Sequence, residues 1–232
     1  MKLPTKKIER LGRNVVYAGT GGQGVGQLIQ AGFASVIPQI DAAVSAADVA
    51  ACIVSVVNPI QQLVLSRWVQ LPGSSPDVWG GIFCGKSGDD FWIYEVDVSG
   101  PSQFHQVFTA TGSGHAVAHA TLMNVMHFDV ANQSLEATKA IAYRAIETTC
   151  TASAYGVGLP VQLAVISSSG IEEFLEGEEN YIELTELVNL WKQLEVETLG
   201  KVAPTQLTPA VEFPTTEEFT INFPIDDGQA SA

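Results

Sequence analysis

The sequence predicts an α+β fold of four layers, an αββα sandwich in which helices cover the outer faces of two stacked β-sheets. The order of its elements is the main observation. Two adjacent helices, a run of strands, two further helices and a closing strand do not alternate as βαβ units do. The composition agrees, since 46% hydrophobic and 16% charged residues in a 232-residue chain are typical of a protein with one large core.

The first half of the chain supplies two helices and a hairpin. A short apolar strand at residues 14–18 leads into a glycine turn, and hydrophobic residues then recur at near-helical spacing over residues 27–37. A second helix is predicted over residues 45–57, with Ser45 as its cap. Strand-forming segments on either side of a turn then predict a β-hairpin between residues 78 and 97.

The second half adds strands and two more helices. A third strand is predicted around residues 106–110. Helices follow over residues 115–126 and 134–148, the second with Ser134 as its N-cap candidate. Residues 161–166 form the closing strand.

Acidic residues are concentrated near the C-terminus. The net charge is −14, and residues 171–232 hold 14 acidic and 2 basic side chains. This divides the chain into a sandwich domain at 1–170, an acidic amphipathic helix at 171–200 and an extended acidic tail at 201–232. We expect no nucleic acid as a partner, because binding it requires neutralising phosphates with Lys and Arg. We expect no membrane either, because no apolar run approaches the ~18 residues of a membrane helix.

The cysteines and the N-terminus bear on the compartment. The basic N-terminal residues precede no apolar segment or cleavage site of the kind that marks export. Cys52, Cys84 and Cys150 are far apart and lie in mostly apolar surroundings, which favours buried thiols in a reducing compartment. We therefore expect a protein of the cytoplasm, or of an assembled particle such as a virion, that is not secreted.

One glycine motif suggests a nucleotide site. Residues 19–24 read Gly-Thr-Gly-Gly-Gln-Gly, which matches GxGxxG, and Asp41 lies twenty residues after Gly21. The segment also resembles the GGQG segment of the γ subunits of 2-oxoacid:ferredoxin oxidoreductases. Against this, Pro38 interrupts the stretch that would have to be the second central strand. A nucleotide-binding oxidoreductase subunit is thus one alternative function.

Conventional catalytic and metal motifs are absent from the sequence. His115 and His119 lie one helical turn apart and His127 follows, but no carboxylate joins them in the helix, and a metal site needs three or four converging ligands. There is no Cys-x-x-Cys, HExxH or GxSxG pattern. The sequence therefore assigns no catalytic, cofactor-binding or metal-ligating residue and no cofactor.

Six segments, taken in order, carry a family resemblance. They are residues 6–8 (Lys-Lys-Ile), 15–22, 45–50, 93–100, 108–114 (with Ala-Thr-Gly-Ser-Gly) and 135–146 (ending Arg-Ala-Ile). They resemble a proteasome β subunit of the Ntn-hydrolase superfamily, or the related bacterial self-compartmentalising proteases, over residues 6 to about 170. The resemblance implies the αββα fold of that superfamily. It also explains the glycine motif as a tight strand-to-helix turn.

Departures from the family pattern concern catalysis. The family acts through an N-terminal threonine assisted by a lysine further along, and Lys7 matches that lysine, so the threonine and two strands are missing here. Thr5 is too close to Lys7 to substitute. The family's Asp-Ser-Ala-Ser-Gly corresponds to residues 151–156, which lack an aspartate, and Ser113 alone is retained. The resemblance thus implies an inactive pseudo-hydrolase, since such groups act as a unit.

The C-terminal segments are predicted to make the assembly contact. Leu187, Trp191 and Leu194 recur at helical spacing, and the tail contains an alternating segment at residues 219–223, whose apolar residues are Phe219, Ile221 and Phe223. Because the missing strands leave sheet edges open, we expect this segment to add to an edge. A solvating, disordered tail is the alternative.

The function predicted from these observations is a non-catalytic, proteasome-like structural subunit of a larger oligomeric particle, either a ring complex or a virion component. Its partners are then copies of itself or other subunits. Besides the oxidoreductase subunit, the second alternative is a threonine hydrolase whose N-terminus lies upstream of this sequence.

Overall fold

The computed structural model describes residues 6–68, 78–97, 102–124, 133–152 and 157–202. The predicted strand at Phe219, Ile221 and Phe223 lies outside these ranges. The chain divides into two units, Met1–Leu190 and Trp191–Ala232. The first unit holds every described strand and all helices except the end of the last one.

An antiparallel sheet of five strands, hydrogen-bonded in chain order, is the centre of the first unit. Its strands are β1 (Ile8–Arg10), β2 (Val15–Gly21), β3 (Trp79–Ser87), β4 (Asp90–Val96) and β5 (Ser102–His105). The predicted hairpin is β3–β4. The strand expected around residues 106–110 is wrong, because β5 pairs with β4 from Ser102 to His105 and the chain then leaves the sheet.

Three helices accompany the first strands, α1 (Gln23–Phe33), α2 (Ile37–Ala42) and α3 (Ala46–Trp68). The single helix expected over residues 27–37 is therefore two helices. Pro38, which lacks an N–H, lies in the first turn of α2, where no intrahelical donor is needed. The predicted cap of α3 is present, since the Asp48 N–H donates to Ser45 Oγ over 3.2 Å.

Aromatic packing joins these helices to the sheet. Phe83 of β3 is fully buried, and its ring lies 5.4 Å from that of Tyr17 and 5.7 Å from that of Phe33. Val49, Ile53 and other buried residues of α3 belong to the same core cluster. The helices therefore bury one face of the sheet.

Helix α3 is also long and apolar enough to cross a membrane by length and composition, with a mean hydropathy of 1.7 over residues Ala46–Arg67. This corrects the expectation that no apolar run approaches the length of a membrane helix. A core helix of a globular domain passes the same test, and Val49, Ile53 and Val57 of α3 are buried in the core. Its length therefore gives little support to a membrane span.

The remaining elements are α4 (His115–Asn124), α5 (Leu135–Ala152), β6 (Leu163–Ser167), β7 (Gly170–Phe174) and α6 (Glu179–Val202). The expected cap of α5 is present, because the Ala137 N–H donates to Ser134 Oγ over 3.2 Å. Strand β7 was not predicted. It begins at residue 170 and pairs antiparallel with β6. The acidic helix therefore begins at Glu179 and not near residue 171. The α+β fold class is confirmed.

Polar contacts hold the β6–β7 hairpin to β1 and its flanking residues. Arg10 Nε donates to Glu173 Oε1 over 2.7 Å, and Lys6 Nζ lies 3.3 Å from Glu173 Oε2. The Lys7 N–H donates to Gln162 Oε1 over 2.6 Å. These contacts link the two-stranded sheet to the five-stranded one.

We expect Glu173→Gln to weaken this link in a pH-dependent way. The hydrogen bond from Arg10, supported by Lys6, holds the pKa of Glu173 below its ordinary value of 4.5. A lowered folded-state pKa stabilises the protein above the unfolded-state value, and that contribution is lost as the pH falls through the folded-state value. Urea unfolding at pH 7 should show a loss of roughly 0.5–1 kcal/mol.

The difference between wild type and Glu173→Gln should narrow as the pH is lowered below 4.5. Glu136→Gln is the control, because its carboxylate is mostly exposed and pairs only within α5, with Lys139 at 2.9 Å. It should change the free energy of unfolding less. An equal loss for Glu173→Gln at pH 7 and pH 3 would contradict the assignment.

Candidate functional site

A cleft of about 590 Å³ lies between the five-stranded sheet and the segments that follow it in the chain. One wall is the sheet face formed by β2, β3 and β4. The other walls are the loop after β5, helices α4 and α5, and the segment leading into β6. The lining includes Lys7, Ile8, Ala18, Thr20, Ile82, Cys84, Ile93, Phe108, Ser113, Thr138, Ile141, Ala142, Ala145, Val161 and Leu163.

The sheet is apolar on both faces, but only one face is fully covered. Phe83 and Tyr94 point towards the helices and are buried, whereas Ile82, Cys84 and Ile93 point into the cleft and are only partly buried. Strands that are apolar on both faces are typical of sheets covered on both sides. The described residues therefore cover the apolar cleft face only in part.

Strand β6 shows the same incomplete burial. All five of its residues, Leu163 to Ser167, are partly exposed, and four of them are apolar. The strand is hydrogen-bonded to β7 in a sheet of only two strands among the described residues. Leu163 lines the cleft and no residue of β7 does, so β6 is the strand nearer to the cleft. Among the described residues, one edge of β6 thus has no strand paired to it.

Few ionisable groups line the cleft. Lys7 and Ser113, which the family resemblance singled out, both line it and both are exposed. Burial raises the pKa of Cys84 to about 11, so its thiol is protonated at neutral pH and is a poor nucleophile. The lining drawn from the described part of the chain includes no Asp, Glu or His. Thr5 and residues 153–156 lie outside the described ranges.

Comparison with known proteins gives a fold. No family model matches the chain, and no curated protein matches it. Similar solved structures include a Gly-1 mutant of Anbu from Hyphomicrobium sp. strain MC1, and Anbu, an ancestral β-subunit, from Yersinia bercovieri. The chain has a proteasome-like fold.

The similarity extends over most of each chain although the sequences have diverged. The Hyphomicrobium structure has a TM-score of 0.62 at 14% identity, covering 87% of this chain and 88% of that one. The Yersinia structure has a TM-score of 0.60 at 13% identity, covering 88% and 90%. At identities this low, the structural similarity shows a proteasome-like fold but gives no information about activity.

In this proteasome-like fold the loop after β5 is fixed by a buried polar cluster that sequence reasoning missed. Thr109 Oγ1 donates to Glu95 Oε2 over 2.8 Å, and His105 Nε2 lies 2.7 Å from the same oxygen. Glu95 is buried although it lies in β4, an otherwise largely apolar strand. A carboxylate in such a strand was the signal available in the sequence. The cluster holds Thr109, and with it the wall of the cleft.

The two histidines that open α4 do not converge. His115 Nδ1 lies 3.0 Å from the Gly112 carbonyl oxygen, and the His119 ring lies 5.1 Å from that of Phe108. No group of three or more His, Cys, Asp or Glu able to hold a metal occurs within the described ranges. Both histidines thus have local packing or hydrogen-bonding roles.

The glycine motif serves packing. A side chain on Gly19 would overlap the indole of Trp79, and Gly21 has a φ of 106° beside the Val78 carbonyl. Asp41 accepts a 2.7 Å hydrogen bond from the Arg13 N–H. The motif also joins an antiparallel sheet, whereas a dinucleotide fingerprint belongs to a parallel one. The geometry does not favour the nucleotide-binding alternative.

Helix α6 divides its apolar residues between two environments. Tyr181, Leu184 and Val188 are buried. Of the residues predicted to dock on a partner, Leu187 is 38% exposed and Leu194 is 54% exposed, and Trp191 is partly buried. Of the three residues, Leu187 and Leu194 are therefore exposed and Trp191 is not fully so.

We expect Gly19→Ala to be destabilising by roughly 1–3 kcal/mol, because the new methyl group would overlap the indole of Trp79. Gly24→Ala is the matched control, since nothing lies within 4 Å of a methyl group there and Gly24 lies within α1. It should leave stability unchanged or raise it by about 0.5 kcal/mol. Urea unfolding of both variants measures this, and equal stabilities would show that the Trp79 contact is not a constraint.

Proposed function

We propose that this chain is a non-catalytic, proteasome-like subunit of a larger oligomeric particle, a ring complex or a virion component. The observation that carries the proposal is the cleft. It occupies the position where a second sheet would pack, its sheet wall is apolar, and its described lining offers no carboxylate or histidine to activate a nucleophile. The Yersinia structure is named a β-subunit, a term for one component of an assembly.

The same proposal includes the four-layer αββα arrangement. In the described residues the second sheet consists of β6 and β7 alone. We infer that further strands complete this sheet when the particle assembles, so that the partly exposed residues Ile82, Ile93 and Leu163 become buried. Assembly would then stabilise each subunit as well as link it to its neighbours, in the cytoplasm or in a virion.

The assembly surface is the face of α6 that carries Leu187, Trp191 and Leu194. Leu187, Trp191 and Leu194 lie within about 60° of one another around a helix with 100° per residue. Exposed apolar side chains aligned on one face are typical of a protein contact. The tail strand with Phe219, Ile221 and Phe223 is the second element of the proposed contact.

A threonine hydrolase is the second candidate, and a specific observation favours it. Lys7 and Ser113 line one cleft, as the family resemblance requires of a catalytic lysine and its companion serine. Such an enzyme needs a threonine at a mature N-terminus ahead of Lys7. Intact mass and N-terminal sequencing of the native protein would detect an additional N-terminal segment.

We expect the 232-residue chain to have no peptidase activity, because no threonine in the described lining of the cleft has a free α-amino group to act as its base beside Lys7 and Ser113. Fluorogenic peptides and a threonine-reactive covalent probe should give no signal above a heat-denatured sample. Labelling of one residue, abolished by its substitution, would refute the non-catalytic assignment.

We also expect Leu187→Glu combined with Leu194→Glu to dissociate the oligomer, because two carboxylates would be buried in an apolar contact. Native mass spectrometry should show monomers at concentrations at least about tenfold above those at which wild type dissociates, a factor that corresponds to about 1.4 kcal/mol.

Val196→Glu is the matched control for that double variant. Val196 is 70% exposed and lies about 180° around the helix from Leu187. The control should assemble as wild type does. If both variants assemble normally, α6 is not the contact.

A further inference from the structure

We propose that the cleft accepts residues 219–223 of a second copy of this chain, added as a strand to the free edge of β6. This inference rests on the proposed assembly function and specifies its contact. It names the acceptor, the donor segment and the source of the donor.

The acceptor is defined by main-chain and apolar groups together. A two-stranded sheet is only marginally stable, and β6 has one edge without a strand in the described residues. The unpaired N–H and C=O groups of such an edge are a template for another strand. Beside it, Ile82 and Ile93 of the larger sheet present partly exposed apolar side chains. A strand at this edge would satisfy both sets of groups.

The donor segment has the pattern that this position requires. In an extended strand Phe219, Ile221 and Phe223 lie on one face and Thr220 and Asn222 on the other. Five residues span about 17 Å. The sheet wall of the cleft is mostly apolar, and the α5 wall is mostly apolar with the hydroxyl of Thr138 among its groups. The apolar face of the segment therefore suits the sheet.

Charge favours the same pairing. The segment is flanked by acidic residues, Glu217 and Glu218 on one side and Asp226 and Asp227 on the other. The described lining of the cleft contains no acidic residue to repel them, and Lys7 is exposed at its margin. The acidic flanks would therefore meet a neutral or basic rim.

A second copy is the donor that fits an assembly subunit. Residues 191–232 form a unit apart from the one that contains the cleft. In the described part of that unit, Leu194, Val196 and Leu199 are each more than half exposed. A strand exchanged between copies completes the β6 sheet and links two subunits through the same hydrogen bonds.

Cross-linking between two variants that each carry one added cysteine tests the proposal on the full chain. Leu163→Cys protein is mixed with Ile221→Cys protein and treated with a short bismaleimide. We expect a heterodimer on a denaturing gel, with mass spectrometry placing the link between positions 163 and 221. Each variant alone measures the background from Cys52, Cys84 and Cys150.

The control replaces the acceptor position by one on α3, which covers the face of the five-stranded sheet opposite the cleft. Leu65→Cys lies on α3 and is exposed, so it reacts with maleimide but is remote from the cleft. Mixed with Ile221→Cys, it should give no heterodimer above background. An equal yield with Leu65→Cys would mean that the tail contacts subunits without a preferred site, and the proposal would be wrong.

Two other outcomes also overturn it. A link that forms only when both cysteines are in one chain, and that leaves a monomer, means that the tail fills its own cleft. No link between positions 163 and 221 in any mixture means that the cleft is not the tail's site. In either case the assembly function would still be supported if the double substitution Leu187→Glu and Leu194→Glu dissociates the oligomer. Peptidase activity alongside a positive cross-link would refute that function and not this contact.

Discussion

A five-stranded sheet with large apolar side chains on both faces is the constraint on which the rest of this structure depends. Phe83 and its aromatic neighbours on one face are buried under α1 and α3. The opposite face carries Ile82, Cys84 and Ile93 and cannot remain exposed to water without a cost of about 25 cal/mol per Å² of apolar surface. The position of α4, α5 and the β6–β7 hairpin follows from the need to cover it. The cleft is the part that they leave uncovered.

Packing around one tryptophan explains why the most conspicuous sequence motif does not mark a ligand site. The indole of Trp79 lies against the backbone at Gly19 and Gly81, where a side chain would collide with it. Two glycines, one in β2 and one in β3, are thus required by one buried ring. A glycine fingerprint indicates a phosphate site only when the strands around it are parallel, and here β2 and β3 are antiparallel.

Local signals in the sequence were sufficient for the hairpin and for the caps at Ser45 and Ser134, because each depends on residues close together in the chain. Features set by long-range contacts were missed. Strand β7 includes Glu172 and Glu173, which the sequence predicted to be part of an acidic helix. In the structure Glu173 instead accepts a hydrogen bond from Arg10, 163 residues earlier. The burial of Glu95 is likewise explained only by its contacts with Thr109 and His105, which the sequence pattern did not indicate. Only the family resemblance associated Lys7 with Ser113, because no local sequence signal connects two residues so far apart in the chain.

The proposed role of the cleft as an interface agrees with its apolar character. A buried thiol such as Cys84, with a pKa of about 11, is protonated at neutral pH, and the described lining has no imidazole or carboxylate to take its proton. Water in such a cleft gains few hydrogen bonds, so displacing it with another apolar surface is favourable. The hydrophobic effect does not fix the orientation of the partner. A strand edge does, because its main-chain hydrogen bonds form only when the added strand is in register. In the proposed contact, the apolar walls and the edge of β6 would together select an extended, alternating segment of polypeptide.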